Sequence, residues 1–317
     1  MSRTLGVVMD PISAINVKKD STFAMLLAAQ SRGWALWYME QEDLWSADGR
    51  TYARMRQLRV RDDASGWHEF SGERTRALDE MDVILMRKDP PFDMEYVTTT
   101  YLLGAAEQRG TLVVNGSASL VANNEKVAAT LFPDCCPPTV IARRRAHFLA
   151  FLESERDIVV KPLDAMGGES IFRIRHGDPN TNVILETMTR HERRFIMAQQ
   201  FIPEIARGDK RILLIDGEPV PYALARIPRE GELRGNLAAG GMARGVPLGS
   251  RDRQIAERVG PYLREQGILF AGLDVIGDYL TEINITSPTC IRELDAEFGL
   301  DIAGDLMNLI ERKLQHR

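Results

Sequence analysis

The segment GILFAGLDVIGDYLTEINITSPTCIR, residues Gly267–Arg292, carries the most specific chemical pattern of this chain. Its apolar runs predict two short β-strands, Ile268–Val275 and Tyr279–Ile285, on either side of a Gly277-Asp278 turn. Successive side chains of a strand point to opposite faces of the sheet, so polar residues two apart share one face. The polar residues within these strands are therefore the first candidates for a functional site.

Asp274 interrupts the first strand, and Glu282 and Asn284 interrupt the second. Two carboxylates and an amide carbonyl form the hard oxygen set that Mg²⁺ takes, with nucleotide phosphates and water completing the octahedron. A plain two-residue turn would put Asp274 and Glu282 on opposite faces, whereas a three-residue loop or a β-bulge pairs Asp274 with Glu282 and Gly272 with Asn284. We predict the second register, in which Gly272 leaves room for a ligand. The alternative is an edge hairpin whose polar residues merely face water.

Composition is that of an ordinary globular protein. The chain has 317 residues, 44% hydrophobic and 27% charged, and this length predicts roughly two domains. A net charge of -5 gives no reason to expect a nucleic-acid or membrane-surface partner, and no apolar run approaches the ~20 residues of a spanning helix. Three cysteines without metal-binding spacing fit a reducing cytoplasm rather than a disulfide framework.

The first part of the chain alternates strands with helices, which predicts a parallel sheet. A polar section between residues 42 and 78 is interpreted as a β-excursion. Composition changes near residues 115–124, so we place the boundary of an N-terminal α/β domain at residue 122. The predicted elements are strands Thr4–Met9, Trp34–Met39, Asp82–Met86 and Thr111–Val114 and helices Ser21–Arg32 and Met94–Arg109.

Unusual polar loops follow two of these strands. Asp10 lies in the loop after the first strand, and Arg87 and Asp89 lie in the loop after the third. Ligands of open α/β sheets bind beyond the carboxyl ends of the strands, so all three are candidate substrate-binding residues. Helix capping by Asp10 and local ion pairs of Arg87 and Asp89 are the alternatives.

Lys161 ends a β-branched strand, and a loop containing Gly167 and Gly168 follows it. The strand can hold the ammonium group in a cleft, and the glycines let backbone N–H groups approach phosphate oxygens. The chain then returns as a strand, Ile171–Ile174, so this is a hairpin loop and not a Walker A loop or a Rossmann fingerprint. Neither of those two patterns occurs elsewhere in the sequence.

Two further segments suit a nucleotide. The predicted strand that ends at Gln200 runs into Phe201 and Ile202, and backbone groups beside flat apolar walls suit an adenine. A hairpin between residues 209 and 226 carries Arg211 and Arg226 near the end remote from its turn, from which both could reach phosphates. Salt bridges on an exposed sheet face are the alternative for these two arginines.

Residues 227–247 are rich in glycine and arginine and show no regular pattern, which indicates either a lid or simple disorder. Arg234 and Asn236 in such a loop suit a cover that closes over a reactive intermediate and excludes water. After the Asp274 hairpin, Ser287, Thr289 and Arg292 lie at the start of a predicted helix, where hydroxyls and backbone donors suit a carboxylate.

These residues together resemble the ATP-grasp superfamily, and over nearly the whole chain they resemble the prokaryotic glutathione synthetase family. Residues 42–78 and the tail after Phe298 match this family less distinctly, and the position of Arg244 after the double glycine departs from it. The resemblance to the superfamily rests on Lys126, Lys161 with its glycine loop, the Gln199–Ile202 strand end, Asp274, Glu282 and Asn284. The resemblance to the glutathione synthetase family rests on the segments Val8–Pro11, Arg87–Asp93, Arg234–Gly241 and Thr281–Arg292.

The resemblance implies a fold, an activity and an assembly. The fold is α/β, an N-terminal parallel-sheet domain of residues 1–122 followed by a two-lobed α+β ATP-grasp domain, with a small central lobe of about 123–200 and a C-terminal lobe of 201–317. The activity is ATP-dependent ligation of γ-glutamylcysteine to glycine through an acyl phosphate, with Mg²⁺ or Mn²⁺. The assembly is a homotetramer, and the location is the cytoplasm.

The resemblance also implies roles for individual residues. The implied ATP-binding residues are Lys126, Lys161, Gly167, Gly168, Gln199, Gln200, Phe201, Ile202 and Asp209. Arg211, Arg226 and Arg234 are implied to be catalytic, and Asp274, Glu282 and Asn284 to hold the metal. The implied substrate-binding residues are Asp10, Arg87, Asp89, Asn236, Ser287, Thr289 and Arg292.

Three other classes remain as alternatives. A sibling ligase acting on D-alanine or another carboxylate would share Lys161 and the metal trio but should lack the Arg87–Asp93 string. A non-catalytic ATP-binding regulator would need neither a water-excluding lid nor all three metal ligands. A nicotinamide dehydrogenase is disfavoured because its fingerprint is missing.

Overall fold

The structure is a computed structural model that describes residues 2–228 and 242–316. An N-terminal sheet has the strand order β3-β4-β2-β1-β6-β7, with β5 paired to the free side of β4. Its centre is parallel, as predicted, and the polar section after residue 42 is the predicted antiparallel β-excursion. Its elements are β1 (Thr4–Val8), α1 (Ser21–Ser31), β2 (Ala35–Met39), β3 (Leu44–Ala47), β4 (Arg50–Val60), β5 (His68–Ala77), β6 (Val83–Met86), α2 (Met94–Glu107) and β7 (Leu112–Val114).

Acidic caps start both helices of this unit. The Asp20 carboxylate accepts a hydrogen bond from the Phe23 N–H at the start of α1, and Asp93 accepts one from the Tyr96 N–H at the start of α2. Each cap satisfies a backbone donor that the first helical turn leaves without a partner. The loops that end at these caps are the two polar loops that the sequence assigns to substrate binding.

A central lobe follows, built on a four-stranded antiparallel sheet in the order β10-β9-β11-β8. Phe148, Leu152, Ile158 and Ile196 are buried in a separate hydrophobic cluster between this sheet and its helices. Helix α3 (Ser117–Ala122) connects the N-terminal sheet to this lobe. The elements of the lobe are α4 (Glu125–Ala129), β8 (Thr139–Ala142), α5 (Arg145–Glu155), β9 (Asp157–Pro162), β10 (Phe172–Arg175), α6 (Thr181–Met188) and β11 (Ile196–Gln200).

The C-terminal part contains a five-stranded antiparallel sheet in the order β14-β13-β12-β15-β16. Strand β14 corrects the expectation of no regular structure across residues 227–247, because Met242 pairs with Ile227 on β13. The elements are β12 (Asp209–Ile215), β13 (Glu218–Ile227), β14 (Met242–Pro247), α7 (Ser250–Glu265), β15 (Phe270–Ile276), β16 (Tyr279–Asn284), α8 (Ile291–Phe298) and α9 (Ile302–Gln315).

The N-terminal and C-terminal sheets share their cores. Val8 and Met86 belong to the same buried cluster as Leu273 and Ile283, and α1 packs against α9 in a second cluster. Burial of this joint apolar surface fixes the strand ends of one sheet against the β15–β16 hairpin of the other. None of the helices in the described ranges combines the length and the apolar character that a membrane-spanning segment requires.

Candidate active site

The β15–β16 hairpin has the predicted register. Asp274 pairs with Glu282 and Gly272 pairs with Asn284, whereas nearer the turn Val275 pairs with Leu280. The connecting turn has only two residues, so the shift comes from a β-bulge between these two sets of pairs. Because paired residues project to the same side of a sheet, the bulge brings both carboxylates to one face.

Thr281 is the extra residue of this bulge. Its hydroxyl donates to the Asp274 carbonyl oxygen at 3.1 Å, and its own carbonyl accepts from Lys161 Nζ at 3.5 Å. Thr281 has no role in the predictions from the sequence, which allow either a three-residue loop or a bulge at this turn. A polar residue between Leu280 and Glu282 is the signal that could have placed the bulge there.

This face of the hairpin borders a cavity of about 330 Å³, within the range of small-molecule sites. Strand ends of the central and C-terminal sheets meet there with α4. The predicted site residues that line it are Lys126, Lys161, Gly167, Gly168, Gln199, Gln200, Phe201, Ile202, Asp209, Arg211, Arg226, Asp274, Glu282, Asn284, Asp89, Ser287 and Thr289.

Two buried arginines occupy the Asp274 side of the cavity. Arg211 Nε and Nη2 donate to the two carboxylate oxygens of Asp274 at 2.5 and 2.9 Å. Arg226 Nη2 lies 2.9 Å from Asp274 Oδ2 and also donates to Asp209 Oδ2 at 2.6 Å. The arginines are therefore bound to carboxylates within the cleft and are not exposed salt-bridge residues.

The pKa values of the two aspartates move in opposite directions. Burial raises the pKa of Asp274, but Arg211 and Arg226 outweigh burial and hold that pKa well below its ordinary range. Burial also raises the pKa of Asp209, and here Arg226 only partly opposes it. The difference arises because Asp274 contacts two guanidinium groups, whereas Asp209 shares one of them.

Two lysines occupy the Glu282 side. Lys161 Nζ lies 3.4 Å and Lys126 Nζ 3.8 Å from Glu282 Oε1. Burial lowers the pKa of Lys161. Burial by itself would raise the pKa of Glu282, but the charges of Lys126 and Lys161 outweigh that effect and lower it. Lys126 is held in place by a hydrogen bond of 2.8 Å from Nζ to the Ala165 carbonyl, within the glycine-containing loop.

Charged side chains of both signs line the cleft, and the carboxylates are no fewer than the cations. Beside the hairpin, the cations Lys126, Lys161, Arg211 and Arg226 contact the carboxylates Asp209, Asp274 and Glu282. Buried charges need partners, so a ligand here must satisfy groups of both signs. A polyphosphate bound together with a divalent cation meets this requirement.

The glycine loop has the backbone that the sequence predicts. Gly167 and Gly168 both have positive φ values, +67° and +79°, and both line the cleft. L-residues with side chains rarely adopt this conformation, so two glycines in succession permit it without strain. The loop lies on the same side of the cleft as Lys126.

Residues of β9, β10 and β11 also line the cleft. Phe201 and Ile202 line it as predicted, but the N–H groups of Gln200 and Phe201 donate to Pro138 and Asp157 and are not free for a base. The Arg173 guanidinium lies 3.4 Å from the centroid of the Phe201 ring. Arg173 is not among the predicted site residues, and the pairing of β10 with β9 places it opposite Val159, another lining residue.

The predicted substrate residues divide into two groups. Asp89, Ser287 and Thr289 line the cleft, whereas Asp10 lies behind it, where it accepts the Asp89 N–H at 2.9 Å and pairs with Lys88 Nζ at 2.8 Å. Helix capping, the alternative for Asp10, does not describe it in this structure, because Asp20 caps α1 and Asp10 forms an ion pair with Lys88.

Arg87 and Arg292 contact protein groups outside the lining of the cleft. Arg87 is buried and donates to Thr22 Oγ1 and to the Pro288 carbonyl, which ties the β6 strand end to the Ser287–Thr289 loop. Arg292 pairs with Asp62 at 2.8 and 3.0 Å. Asp62 follows the long β4 strand, and no local sequence signal places that loop beside α8. The predicted lid residues Arg234 and Asn236 lie outside the described residues.

The oxygen set of the hairpin fits a hard divalent cation. Within residues 2–228 and 242–316 no group of three or more His, Cys, Asp and Glu side chains has metal-binding geometry. A cation here would therefore use Asp274, Glu282 and the Asn284 amide together with phosphate and water oxygens, as Mg²⁺ sites commonly do. The donor chemistry agrees with that assignment.

Comparison with known proteins identifies relatives over the full length. The family profile described as the prokaryotic glutathione synthetase N-terminal domain matches residues 4–120, and the profile of its ATP-grasp domain matches residues 125–299. The chain is 61% identical over 317 residues to the glutathione synthetase of Pseudomonas syringae pv. tomato, covering 100% of this chain and 99% of the relative. It is 55% identical over 311 residues to that of Vibrio vulnificus, covering 98% of each.

Solved structures agree on the fold. D-cycloserine synthetase DcsG is similar with a TM-score of 0.69 at 14% identity, covering 98% of this chain and 99% of that chain. The ATP-grasp ligase PsnB, complexed with its minimal precursor, is similar with a TM-score of 0.63 at 14% identity and the same coverage. The chain has the ATP-grasp fold and belongs to the prokaryotic glutathione synthetase family.

Proposed function

We propose that this protein ligates γ-L-glutamyl-L-cysteine to glycine, with cleavage of ATP to ADP and phosphate, and so forms glutathione. The observation that carries the proposal is the meeting of the Asp274–Glu282 face with Lys126 and Lys161 in one buried cleft. Membership of the prokaryotic glutathione synthetase family supports the choice of substrates.

The nucleotide extends along the cleft from the Phe201 surface to the hairpin. Gln199, Gln200, Phe201 and Ile202 surround the adenine, and Asp209 lies between that end and the phosphates. Lys126, Lys161 and the N–H groups of the Gly167-Gly168 loop contact the phosphates. Their role is positioning and charge neutralisation, which are what phosphoryl transfer chiefly requires of a protein.

Asp274, Glu282 and Asn284 would hold Mg²⁺ or Mn²⁺, which would supply charge neutralisation and orientation for the γ-phosphoryl group. In the structure, arginines and lysines neutralise the same two carboxylates. The two lysines can then exchange their carboxylate partner for a phosphate when the nucleotide is present.

The first chemical step forms an acyl phosphate. A carboxylate oxygen of the cysteinyl moiety attacks the γ-phosphorus, and the bond from that phosphorus to the β,γ-bridging oxygen breaks to release ADP. In the second step the glycine amine attacks the acyl carbon, phosphate leaves, and the amine proton passes to the phosphate or to solvent. Arg211, Arg226 and Arg234 donate hydrogen bonds to the oxygen that becomes negatively charged in the tetrahedral intermediate.

γ-Glutamylcysteine and glycine bind where the N-terminal and C-terminal sheets meet. Asp89, Ser287 and Thr289 line the cleft there. Asn236 is proposed to contact the same substrates, although it lies outside the described residues. Asp10 and Arg87 support this surface, because Asp10 accepts the Asp89 N–H and Arg87 holds the Pro288 carbonyl. Arg292 joins this group only if its pair with Asp62 opens.

The remaining proposals concern organisation. We propose a domain boundary at residue 122, a central lobe of residues 123–200, a C-terminal lobe of residues 201–317 and a lid of residues 227–247. The separate hydrophobic core of the central lobe supports the division into lobes. A homotetramer in the cytoplasm completes the proposal. Three buried free cysteines agree with a reducing compartment.

ADP release under four conditions tests the function: with both γ-glutamylcysteine and glycine, with each alone, and with neither. A glutathione synthetase releases ADP continuously only with both substrates. Turnover with D-alanine or another acceptor in place of glycine would indicate a sibling ligase. Nucleotide binding without ADP release under any condition would indicate a regulator.

A further inference from the structure

Asn115 connects the N-terminal sheet to the β15–β16 hairpin. It directly follows β7, is 4% exposed, and its side chain makes four hydrogen bonds. Its Oδ1 accepts the N–H groups of Leu269 and Phe270, each at 3.0 Å. Its Nδ2 donates to the carbonyls of Phe270 and Ile285, each at 2.7 Å. The side-chain amide of Asn115 therefore joins the start of β15 to the residue that follows β16.

Glu125 holds the same end of the hairpin from the other side. At the start of α4, its Oε1 accepts the N–H groups of Ile285 and Thr286 at 2.8 and 2.9 Å and the Thr286 hydroxyl at 2.8 Å. The N–H of Ile285 is thus bound by Glu125 and its carbonyl by Asn115. Ile285 directly follows Asn284, one of the three oxygen donors of the proposed metal site.

The register of β16 needs such a restraint. Strand β15 is paired along its whole length with β12, but β16 is the edge strand and has β15 as its strand partner. A bulge already separates two registers within this short hairpin. If β16 lost the bulge and slipped by one residue, Glu282 would leave the Asp274 face and project to the opposite side.

We propose that Asn115 and Glu125 are positioning residues, which fix the end of β16 and thereby keep Glu282 and Asn284 beside Asp274 and the two lysines. This inference rests on the proposed function, because it takes the hairpin to be the metal and phosphate site. Hydrogen-bond partners one layer behind metal ligands commonly change metal affinity about 10- to 100-fold when they are removed.

The chain offers a matched control on the other side of β7. Thr111 directly precedes the strand, is 1% exposed, and donates from Oγ1 to the carbonyls of Leu78 and Met81 at 3.2 and 3.0 Å. Thr111→Val therefore removes buried side-chain hydrogen bonds from the same segment without touching the hairpin. Asn115→Asp keeps the size of the side chain and its acceptor oxygen but loses donation to the Phe270 and Ile285 carbonyls.

The experiment measures Mn²⁺ binding in the presence of ADP by electron paramagnetic resonance, together with amide exchange of the segment 279–286. For Asn115→Asp we expect Mn²⁺ binding about tenfold or more weaker and faster exchange at Ile285 and Thr286. For Thr111→Val we expect Mn²⁺ binding within about twofold of wild type, with a loss of thermal stability similar to that of Asn115→Asp. Equal Mn²⁺ affinity in Asn115→Asp and wild type would overturn the proposal.

A second pair of variants keeps the test valid if Asn115→Asp does not fold. Glu125→Gln retains an oxygen that can accept the three hydrogen bonds, whereas Glu125→Ala does not. We expect Glu125→Gln to bind Mn²⁺ and ADP within about threefold of wild type and Glu125→Ala to bind about tenfold or more weakly. Equal weakening in both variants would show that charge and not positioning matters, and would overturn the role of Glu125. Failure of the wild type itself to bind Mn²⁺ with ADP would instead refute the proposed function.

Discussion

Asp274 lies directly opposite Glu282 on the neighbouring strand, and the two carboxylates have different cations as partners. Asp274 contacts Arg211 and Arg226, whereas Glu282 lies between Lys126 and Lys161. Arginine makes planar, bidentate contacts with carboxylates and phosphates, whereas lysine acts as a compact charge. The hairpin therefore has an arginine side at Asp274 and a lysine side at Glu282, and we propose that the arginine side serves acyl transfer and the lysine side binds phosphate.

Glu282→Gln should abolish metal-dependent nucleotide binding and ligation together. The substitution preserves shape but removes the charge that a divalent cation needs and that two buried lysines share. We expect turnover to fall by about 10²-fold or more, the scale on which loss of one preorganised electrostatic group acts. Calorimetric titration with ADP, with and without Mg²⁺, is the measurement. Metal dependence equal to that of the wild type would remove Glu282 from the metal site.

Arg173→Met should weaken nucleotide binding without changing the chemical steps. The guanidinium lies against Phe201 and pairs with Asp157, and the loss of such a stacked contact corresponds to about three- to tenfold in KM for ATP. Arg175→Met is the control, since Arg175 is exposed on the same strand and lies 3.7 Å from the same Asp157. A change in kcat for Arg173→Met, or an equal effect in both variants, would argue against an adenine-side role.

Arg234→Ala should separate ATP cleavage from ligation. Arg234 lies outside the described residues, and its role follows from its position in the predicted lid. Loss of an oxyanion donor should slow glutathione formation by about 10²- to 10³-fold while ATP binding persists. The ratio of ADP released to glutathione formed is the measurement, because an exposed acyl phosphate hydrolyses. Wild-type behaviour in both binding and product ratio would refute the lid assignment.

The ion pairs of Asp274 should make stability depend on pH in a defined direction. Its pKa in the folded protein lies below its ordinary value of 3.8, so the unfolded chain takes up the proton first as the pH falls. The stabilising effect of Asp274 is therefore complete above about pH 4 and is lost progressively below it, as the pH approaches the folded pKa. Glu282, whose pKa is also lowered, acts in the same direction.

Urea unfolding of the wild type and Asp274→Asn measures this effect. Near pH 7 the variant should be less stable by about 3–5 kcal/mol, because two buried arginines lose their shared carboxylate. The difference should shrink when the pH is lowered to about 3. Asp209→Asn is the control. Burial raises the pKa of Asp209, so its contribution to the free energy of unfolding should not decrease with falling pH in the way expected for Asp274.

Local sequence patterns predicted the parts of the site that depend on strand alternation. The register of Asp274 with Glu282 is confirmed because the apolar residues around them leave one arrangement that buries Leu273, Val275 and Ile283. Lys161 at a strand end and the two glycines after it are likewise read from neighbouring residues alone.

Residues whose partners are distant in the chain were harder to place. Arg292 was expected at a substrate carboxylate, but its partner is Asp62, more than two hundred residues away in a loop that only the packed fold brings near. The roles of Asn115 and Glu125 depend on the same long-range packing between sheets. Helices α3 and α9 were also not predicted, and strand β14 forms by pairing with β13 within a section that has no pattern of its own.

In the proposed complex, three oxygen donors of one hairpin and two lysines of the central lobe meet at the phosphates of one nucleotide. Anomalous scattering from crystals grown with Mn²⁺ and ADP locates the metal directly. We expect a Mn²⁺ peak in contact with Asp274, Glu282 and Asn284, with phosphate oxygens within hydrogen-bonding distance of Lys126 and Lys161. A peak elsewhere, or phosphates remote from both lysines while the metal occupies the hairpin, would contradict the account.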